Sequence, residues 1–448
     1  MSKLTKEQAE SFAPDSGTLS RGRKIAKPSA YRDIGADDRA IWGTALGSST
    51  YLSMVDLHGP AFKCSCPVKK LPCKHIMGLM LLVADDESVI ESEQQPEELQ
   101  QWLGKRDTAA VTKQNRKTGE VKDPEAQAKR AAKREANIDA GVEALSLFLE
   151  DVLTVGLADA GKRARDVWDN VQRRLVDAQA GGLANRVENL RELVAQGAGK
   201  TEETLAAMAQ LNLLCRSWAN RHTLPAEQQA HLCQLVGWKQ NLAPIQPDAC
   251  EEWIVLSNGR RYEYDLYSQS VWMLESGGTR FARLLHFAKA SIGASLPGGY
   301  APGCCLQGTL TFHSAWNPIR ADFEGRNLLA TPITADPEPI KAVANTSLVT
   351  ALTNLQQQRA AFPFSDAWPL LVANLRLVSH AGQLALADDD NTVMLLDEEF
   401  RAQHKLMQLA GPRTFTLFMT TYDGQRLLPQ AGLFEGIWHN LALDETGD

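Results

Sequence analysis

Three cysteines and a histidine gathered within twelve residues constrain this chain more than anything else in it. Cys64, Cys66, Cys73 and His75 lie in the run Phe62-Lys63-Cys64-Ser65-Cys66-Pro67-Val68-Lys69-Lys70-Leu71-Pro72-Cys73-Lys74-His75. Three soft sulfur donors and one imidazole are the donor set of a closed, tetrahedral structural zinc site. The spacing also restricts the local fold. Side chains two apart on a flat strand share a face but stand well separated, so Cys64 and Cys66 can share one metal only if the chain turns between them. Ser65 and Pro67 suit such a turn. Cys73 and His75 cannot share a face within a helix, which predicts Cys73 just before a helix and His75 in its first turn. Protein fills all four positions, so the set predicts one structural zinc per chain with no open position for catalysis.

The flanks complete a small module. Tyr51 to Asp56 alternates as a strand, His58-Gly59-Pro60 reads as a turn, and Ala61 to Cys64 returns as a second strand. Ile76 to Val83 is apolar all round, which predicts a helix buried on every side. The module should therefore be embedded, against the preceding fifty residues and the segment around Trp102-Leu103. Lys63, Lys69, Lys70 and Lys74 stand among the ligands with no acid between them. They read either as a phosphate-facing patch or as ammonium groups that favour the thiolates and offset the negative charge of zinc with three cysteinates.

On C-x-C-P at 64–67 and P-C-K-H at 72–75, the stretch resembles the SWIM-type zinc finger, a short β-β-α module of pattern C-x-C then C-x-H. The likeness runs from Tyr51 to Val83, and Cys64, Cys66, Cys73 and His75 stand at its four ligand positions. The resemblance implies a module that binds nucleic acid or protein rather than one that catalyses.

With 448 residues, 44% hydrophobic and 23% charged, the chain is ordinary globular material with room for several domains. A net charge of −7 argues against coating nucleic acid over the whole surface, while leaving a local basic patch open. The start has no apolar core of an export signal, and the longest apolar run, Ile76 to Ala84, is half a membrane span. The other five cysteines are scattered, which suggests no disulfide framework. These features predict a cytoplasmic protein without membrane association.

Taken in order, residues 1–104 read as the zinc-finger domain, with a polar start, a basic run from Ser20 to Lys27 as a solvated arm, and packing that begins at Trp42 and Leu46. Residues 105–137 read as a basic linker, flexible to Val121, then an exposed helix opened by Asp123-Pro124-Glu125. Residues 138–245 carry four apolar stripes at helical spacing: Val142, Leu145, Leu149, Val152 and Leu153; Val167, Val171, Leu175 and Val176; Leu183, Val187, Leu190 and Val194; Leu205, Met208, Leu211 and Leu214. Gly197 to Thr201 imitates a phosphate loop, but position 194 is Val rather than Gly and no strand precedes it. It reads as a helix end and the next helix start. Cys215, His222, His231 and Cys233 match no ligand spacing and read as core and surface residues.

Residues 246–448 read as β-rich. Trp253 to Leu256 is a strand, Asn258-Gly259 a tight turn, and Tyr262, Tyr264 and Leu266 alternate on a return strand. Val271 to Leu274 adds a strand, Phe281 to Ala288 reads as a helix, and Leu306 to Phe312 pairs with Ile319 to Phe323 across Asn317-Pro318. Near the end, Leu384 and Leu386 face Val393 and Leu395 across the turn Asp388 to Asn391. A helix from Phe400 to Leu409 precedes strands around Phe415 to Met419 and Leu427-Leu428. This suggests a duplicated hairpin–helix–hairpin over 251–325 and 370–430.

The fold class is therefore α+β: an N-terminal β-β-α zinc-finger domain, a central helical domain and a C-terminal β-rich domain. No nucleophile elbow, zincin helix or dinucleotide loop is present, so no catalytic residue and no cofactor besides zinc is assigned. The layout, with the helical segment Leu175 to Ala184, resembles bacterial SWIM zinc finger family proteins. That resemblance implies an adaptor or recognition subunit beside a MoxR-type AAA ATPase and a von Willebrand A-domain protein. The alternative is an enzyme, nucleic-acid-processing or other, with its active site in the C-terminal half.

Overall fold

The computed structural model describes residues 4–443 except 48, 58–60, 69, 118–123, 161–164, 239–251, 264, 278–279, 290–295, 315, 317–318, 328–337, 366, 399 and 412. The finger domain opens with helices α1 (Lys6–Ser11) and α2 (Ser16–Ile25). A four-stranded antiparallel sheet follows in chain order, β1 (Tyr31–Ala36), β2 (Ala40–Ala45), β3 (Tyr51–Asp56) and β4 (Ala61–Cys64). Helix α3 (Lys74–Asp85) closes the module. The polar start folds because it caps itself: the Gln8 N–H donates to Thr5 Oγ1, the Thr5 N–H donates to Gln8 Oε1, and Asp15 accepts from the Thr18 N–H. Packing thus begins at Leu4, Ala9 and Phe12, which are buried with α3, and not at Trp42 and Leu46; Leu46 is exposed. The expected basic arm is largely the body of α2, where Arg23 pairs with Glu10 at 2.8 Å.

Close packing of α2 on α3 depends on two glycines. A Cβ on Gly22 would stand 2.7 Å from Met77 Cβ, and one on Gly78 would stand 2.7 Å from Ile25 Cγ1 and press on the Tyr31 hydroxyl. Gly78→Ala should therefore destabilise the finger domain by about 1–3 kcal/mol through overpacking. A thermal melt unchanged from the parent would contradict this.

Helix α4 (Glu97–Lys117) covers the other side of the sheet, with Leu99 and Leu103 buried against Ala40, Trp42 and Met54. Asp56, buried at the end of β3, clips it down by accepting from Arg106 Nε at 2.8 Å, with Arg39 Nε 3.7 Å away. Helix therefore replaces the flexible linker expected from Lys105, as far as Lys117; 118–123 lie outside the described residues. An anchored first turn propagates through Ala, Lys, Arg and Gln without needing an apolar face.

The bundle begins in α5 (Pro124–Val155), one helix across the expected boundary at 137; Asp123, expected as its cap, lies outside the described residues. Short α6 (Leu157–Ala160) is followed by α7 (Arg165–Asp177), α8 (Gly181–Ala195), α9 (Thr201–Ala219) and α10 (Ala226–Val236). Ile138, Val142, Leu145, Leu149 and Val152 meet Leu175, Leu183, Val187, Leu190, Met208, Leu211, Leu214 and Trp218 in one core. Leu153, Val167, Val176 and Leu205 of the expected stripes are exposed. Buried Arg221 lies over the Trp218 ring and pairs with Glu135 and Asp139.

The β-rich part holds two sheets of one topology. The first contains β5 (Glu252–Glu263), β6 (Leu266–Glu275), β7 (Phe281–Lys289), β8 (Cys305–Phe312) and β9 (Ala321–Asn327), in the order β7-β6-β5-β8-β9. Helices α11 (Glu338–Val343) and α12 (Leu348–Ala361) lead to β10 (Trp368–His380), β11 (Gln383–Ala387) and β12 (Val393–Leu395). After α13 (Gln403–Ala410) come β13 (Thr414–Tyr422), β14 (Leu427–Phe434) and β15 (Ile437–Asn440), giving the order β12-β11-β10-β13-β14-β15.

In each sheet the first strand is central, pairing with the second and the fourth. In each, a parallel bridge joins the third strand to the fifth, Arg283 near the start of β7 with Arg320 just before β9, and Leu396 just past β12 with Leu427 at the start of β14. The Arg283 N–H donates to Ile319 O and the Asp397 N–H to Leu427 O. Five strands so connected, with α13 between the third and fourth of the second set, make the topology of the OB barrel.

The repeat is thus real in topology, but its unit is not hairpin–helix–hairpin. Phe281 to Ala288 is strand β7, with Ala282 and Leu284 inward and Phe281, Arg283, Leu285 and Phe287 outward. A short apolar run fits either period. Asn258-Gly259 is likewise no turn but the middle of β5, just past a bulge; Asn258 is buried and donates to Tyr300 O. Tyr264 and Asn317-Pro318 lie outside the described residues.

Alternation on β5 and β6 divides two cores. Trp253, Val255, Val271 and Met273 fill the first barrel. Ile254, Leu256, Trp272 and Leu274 face out and pack on Leu371, Leu417, Met419 and Leu433 of the second. Leu370, Val372 and Phe418 point the other way, into a core shared with the bundle. The finger domain meets the first barrel where Arg260 donates to Ser11 O at 3.1 Å and Phe12 rests on Gly298. No described helix is long and apolar enough to cross a membrane.

Candidate metal centre

The four ligands arrive from three structural events. Strand β4 ends at Cys64, opposite Ser53 of β3. The chain then turns, fixed by the Ser65 N–H donating to Leu52 O and by Ser65 Oγ accepting from the Leu52 N–H, and this brings Cys66 back inward. Cys73 is the N-cap of α3, and His75 lies in its first turn. Both local expectations for the spacing are met.

The donor atoms of Cys64, Cys66, Cys73 and His75 all lie within 4.8 Å of one another. His75 Nδ1 stands 3.9 Å from the sulfurs of Cys64 and Cys73. A tetrahedron with ordinary Zn–S and Zn–N bonds separates sulfur and nitrogen by about 3.6 Å, so these two pairs need to close by a few tenths of an ångström and the widest pair by about 1 Å for the set to share one ion. The four residues form one structural zinc site, with Nδ1 as the imidazole donor. Among the described residues this is the only convergence of three or more potential metal ligands.

The surroundings hold the ligands in place. Tyr51 stacks on the His75 ring at 4.9 Å, and the buried Tyr31 hydroxyl donates to His75 O at 2.7 Å. Ser53 Oγ lies 3.5 Å from Cys64 Sγ. The Cys73 thiol beside Cys64 holds the Cys64 sulfur as a thiolate, down to about 4, while its own proton is held more tightly. Closing on zinc as three thiolates expels the protons that remain, so affinity falls as the pH drops. Tyr51, Tyr31 and Ser53 were not foreseen; only the fold brings them from the sheet to the ligands.

The lysines do not act as one group. Lys63 and Lys74 are exposed, Lys70 is held 2.9 Å from Asp15, and Lys69 lies outside the described residues, as does His58. The other candidates separate as expected. Cys215 and Cys233 are buried in the bundle, their thiols pushed up to about 11 by burial. His231 is pushed down to about 4 by burial among Phe362 and Trp316. Lys200 of the phosphate-loop look-alike pairs with Glu203 and Glu398, and Gly197–Lys200 is a tight turn between α8 and α9.

Comparison with known families finds two matches. Residues 63–84 match the SWIM zinc finger, and residues 133–236 match the SWIM-associated four-helix bundle domain. The first match contains all four metal ligands, and the second spans α5 to α10. No curated protein and no solved structure matches the chain.

Proposed function

We propose that this is a non-enzymatic binding protein of the cytoplasm, an adaptor or recognition subunit whose zinc finger organises a surface for a macromolecular partner. The observation that carries this reading is the finger's construction. Four protein ligands leave the metal no open position, and Ile76 to Val83 of α3 are all buried. The finger is a staple for a larger domain rather than a free groove-reading module. Its match to the SWIM finger and the associated bundle points to an interaction module. No described cysteine is in a disulfide, in keeping with a reducing compartment.

The resemblance to SWIM zinc finger family proteins supplies the partner: a MoxR-type AAA ATPase with a von Willebrand A-domain protein, which would perform the chemistry. The acidic run from Asp85, the last residue of α3, to Glu98 disfavours a long duplex lying across the finger. Affinity purification of the tagged, zinc-loaded chain from its native host, with and without nuclease, tests the reading. The ATPase should be retained in both. Retention abolished by nuclease, or no ATPase in either, would count against it. Steep weakening with salt would mark phosphate contacts instead.

A further inference from the structure

The outer face of β5, β6 and β7 carries a feature that neither the zinc site nor the adaptor reading uses. Pairing register puts Arg261, Ser268 and Phe287 in one row across the three strands, and Glu263, Leu266 and Lys289 in the next. These rows face the same way as Trp272, because each stands an even number of residues from it or from its partner Arg283. The second barrel covers the face around Trp272 and Leu274. Farther along it opens: Phe287 is 57% exposed in the body of its strand, and Arg261, Leu266 and Lys289 are exposed around it. At the hairpin tip Tyr262, also exposed, lies against Tyr267 with ring centroids 4.7 Å apart.

We infer that this face binds single-stranded nucleic acid, with Phe287 stacking a base and Arg261 and Lys289 meeting the flanking phosphates. Three observations favour this occupant over a protein. Across the row the ring has the small, polar Ser268 as its neighbour, and the nearest apolar side chains on the same face are Leu285 and the exposed Leu266. Cations flank it at useful distances: Arg261 stands two strands away, about 9.5 Å, and Lys289 two residues along, about 7 Å, within reach of the phosphates on either side of a stacked base.

The closed five-stranded topology is the third observation. In this architecture the surface of the second and third strands and the first hairpin receive oligonucleotides and oligosaccharides, and β6, β7 and the Tyr262–Tyr267 tip are those elements here. Arg261 lies 3.3 Å from Glu263 and keeps further N–H donors to offer. Of those two ligand classes, the paired cations select the anionic one.

Fluorescence anisotropy with the zinc-loaded full chain and a labelled oligothymidine of about 16 nucleotides tests the inference. Phe287→Ala should weaken binding about tenfold, within the range that loss of one stacked base gives, with the melting temperature and zinc content unchanged because the ring is exposed. Lys289→Gln should lower the slope of log affinity against log salt. A duplex of the same sequence should bind more weakly, since its bases are already stacked. Affinity equal to the parent's in Phe287→Ala, duplex binding as tight as single strand, or no binding at low salt would each overturn the proposal. So would single-strand binding lost in Lys63→Glu/Lys74→Glu and untouched in Phe287→Ala, which would move the contact to the finger.

Discussion

Replacing Cys66 or Cys73 with serine should remove the zinc and unfold the finger domain while the bundle and both barrels remain folded. Structural zinc contributes on the order of 10 kcal/mol or more at neutral pH, nearly all of it folding free energy. A domain's whole stability is about 5–15 kcal/mol. Both sulfurs are buried, so the hydroxyl that replaces either has no water to turn to and binds the ion poorly. Without the ion, Cys73 no longer fixes the start of α3, and a helix buried along Ile76 to Val83 loses its setting.

Damage should stop at the domain's edge. The finger's cores are separate from those of the bundle and barrels, and it touches the first barrel through the Arg260 and Gly298 contacts noted above. Limited proteolysis with metal analysis reads both halves of the prediction. Zinc should fall from one per chain toward none, new cleavage should appear within residues 1–104, and the region from α5 onward should stay resistant. Zinc loss with the first hundred residues as resistant as before would show that the metal is not the staple. Lys74→Glu, a charge change beside an intact ligand, should keep the zinc.

What could be read from the residues and what could not follows from range. The metal site was legible because its ligands are local: a turn at Ser65, a cap at Cys73 and a first helical turn at His75 depend on few neighbours. The buried stripes of α8 and α9 were legible because they are long and regular. Residues 1–45 were misread because their packing uses small residues and caps; Ala9, Gly22 and Gly78 bury helix against helix without a large apolar signal. β7 was misread because a run such as Phe281 to Ala288 carries apolar side chains for both faces of a strand. Its two faces serve different ends, one filling the barrel and one turned outward, and only strand pairing decides that. The barrel topology lies in which strands meet, β5 with β8 and β10 with β13, each pair separated by tens of residues. The Asp388 turn is similar: its carboxylate is buried and accepts from the Leu348 N–H, a long-range cap on α12.

Trp272→Ala should strongly destabilise the β-rich half and should separate the two barrels rather than empty either one. Trp272 is fully buried, yet it points out of the first barrel and into the layer shared with Leu371, Leu417, Met419 and Leu433. Truncating a buried tryptophan costs about 3–5 kcal/mol through lost transfer free energy and the cavity left behind. The Arg283 guanidinium, 5.3 Å from the ring centroid, also loses its aromatic partner. Val271 and Met273, its neighbours in the strand, face inward and keep the first barrel's own core. The loss therefore falls on the layer between barrels. Calorimetry should show the melting of the first barrel moving to lower temperature and separating from that of the second barrel and the bundle, which share a core. Met273→Ala should instead destabilise the first barrel internally, with the layer around Leu417 and Met419 undisturbed. If the two variants melted alike, with all transitions displaced together, the barrels would be one cooperative unit and the division of cores by strand alternation would have no energetic meaning.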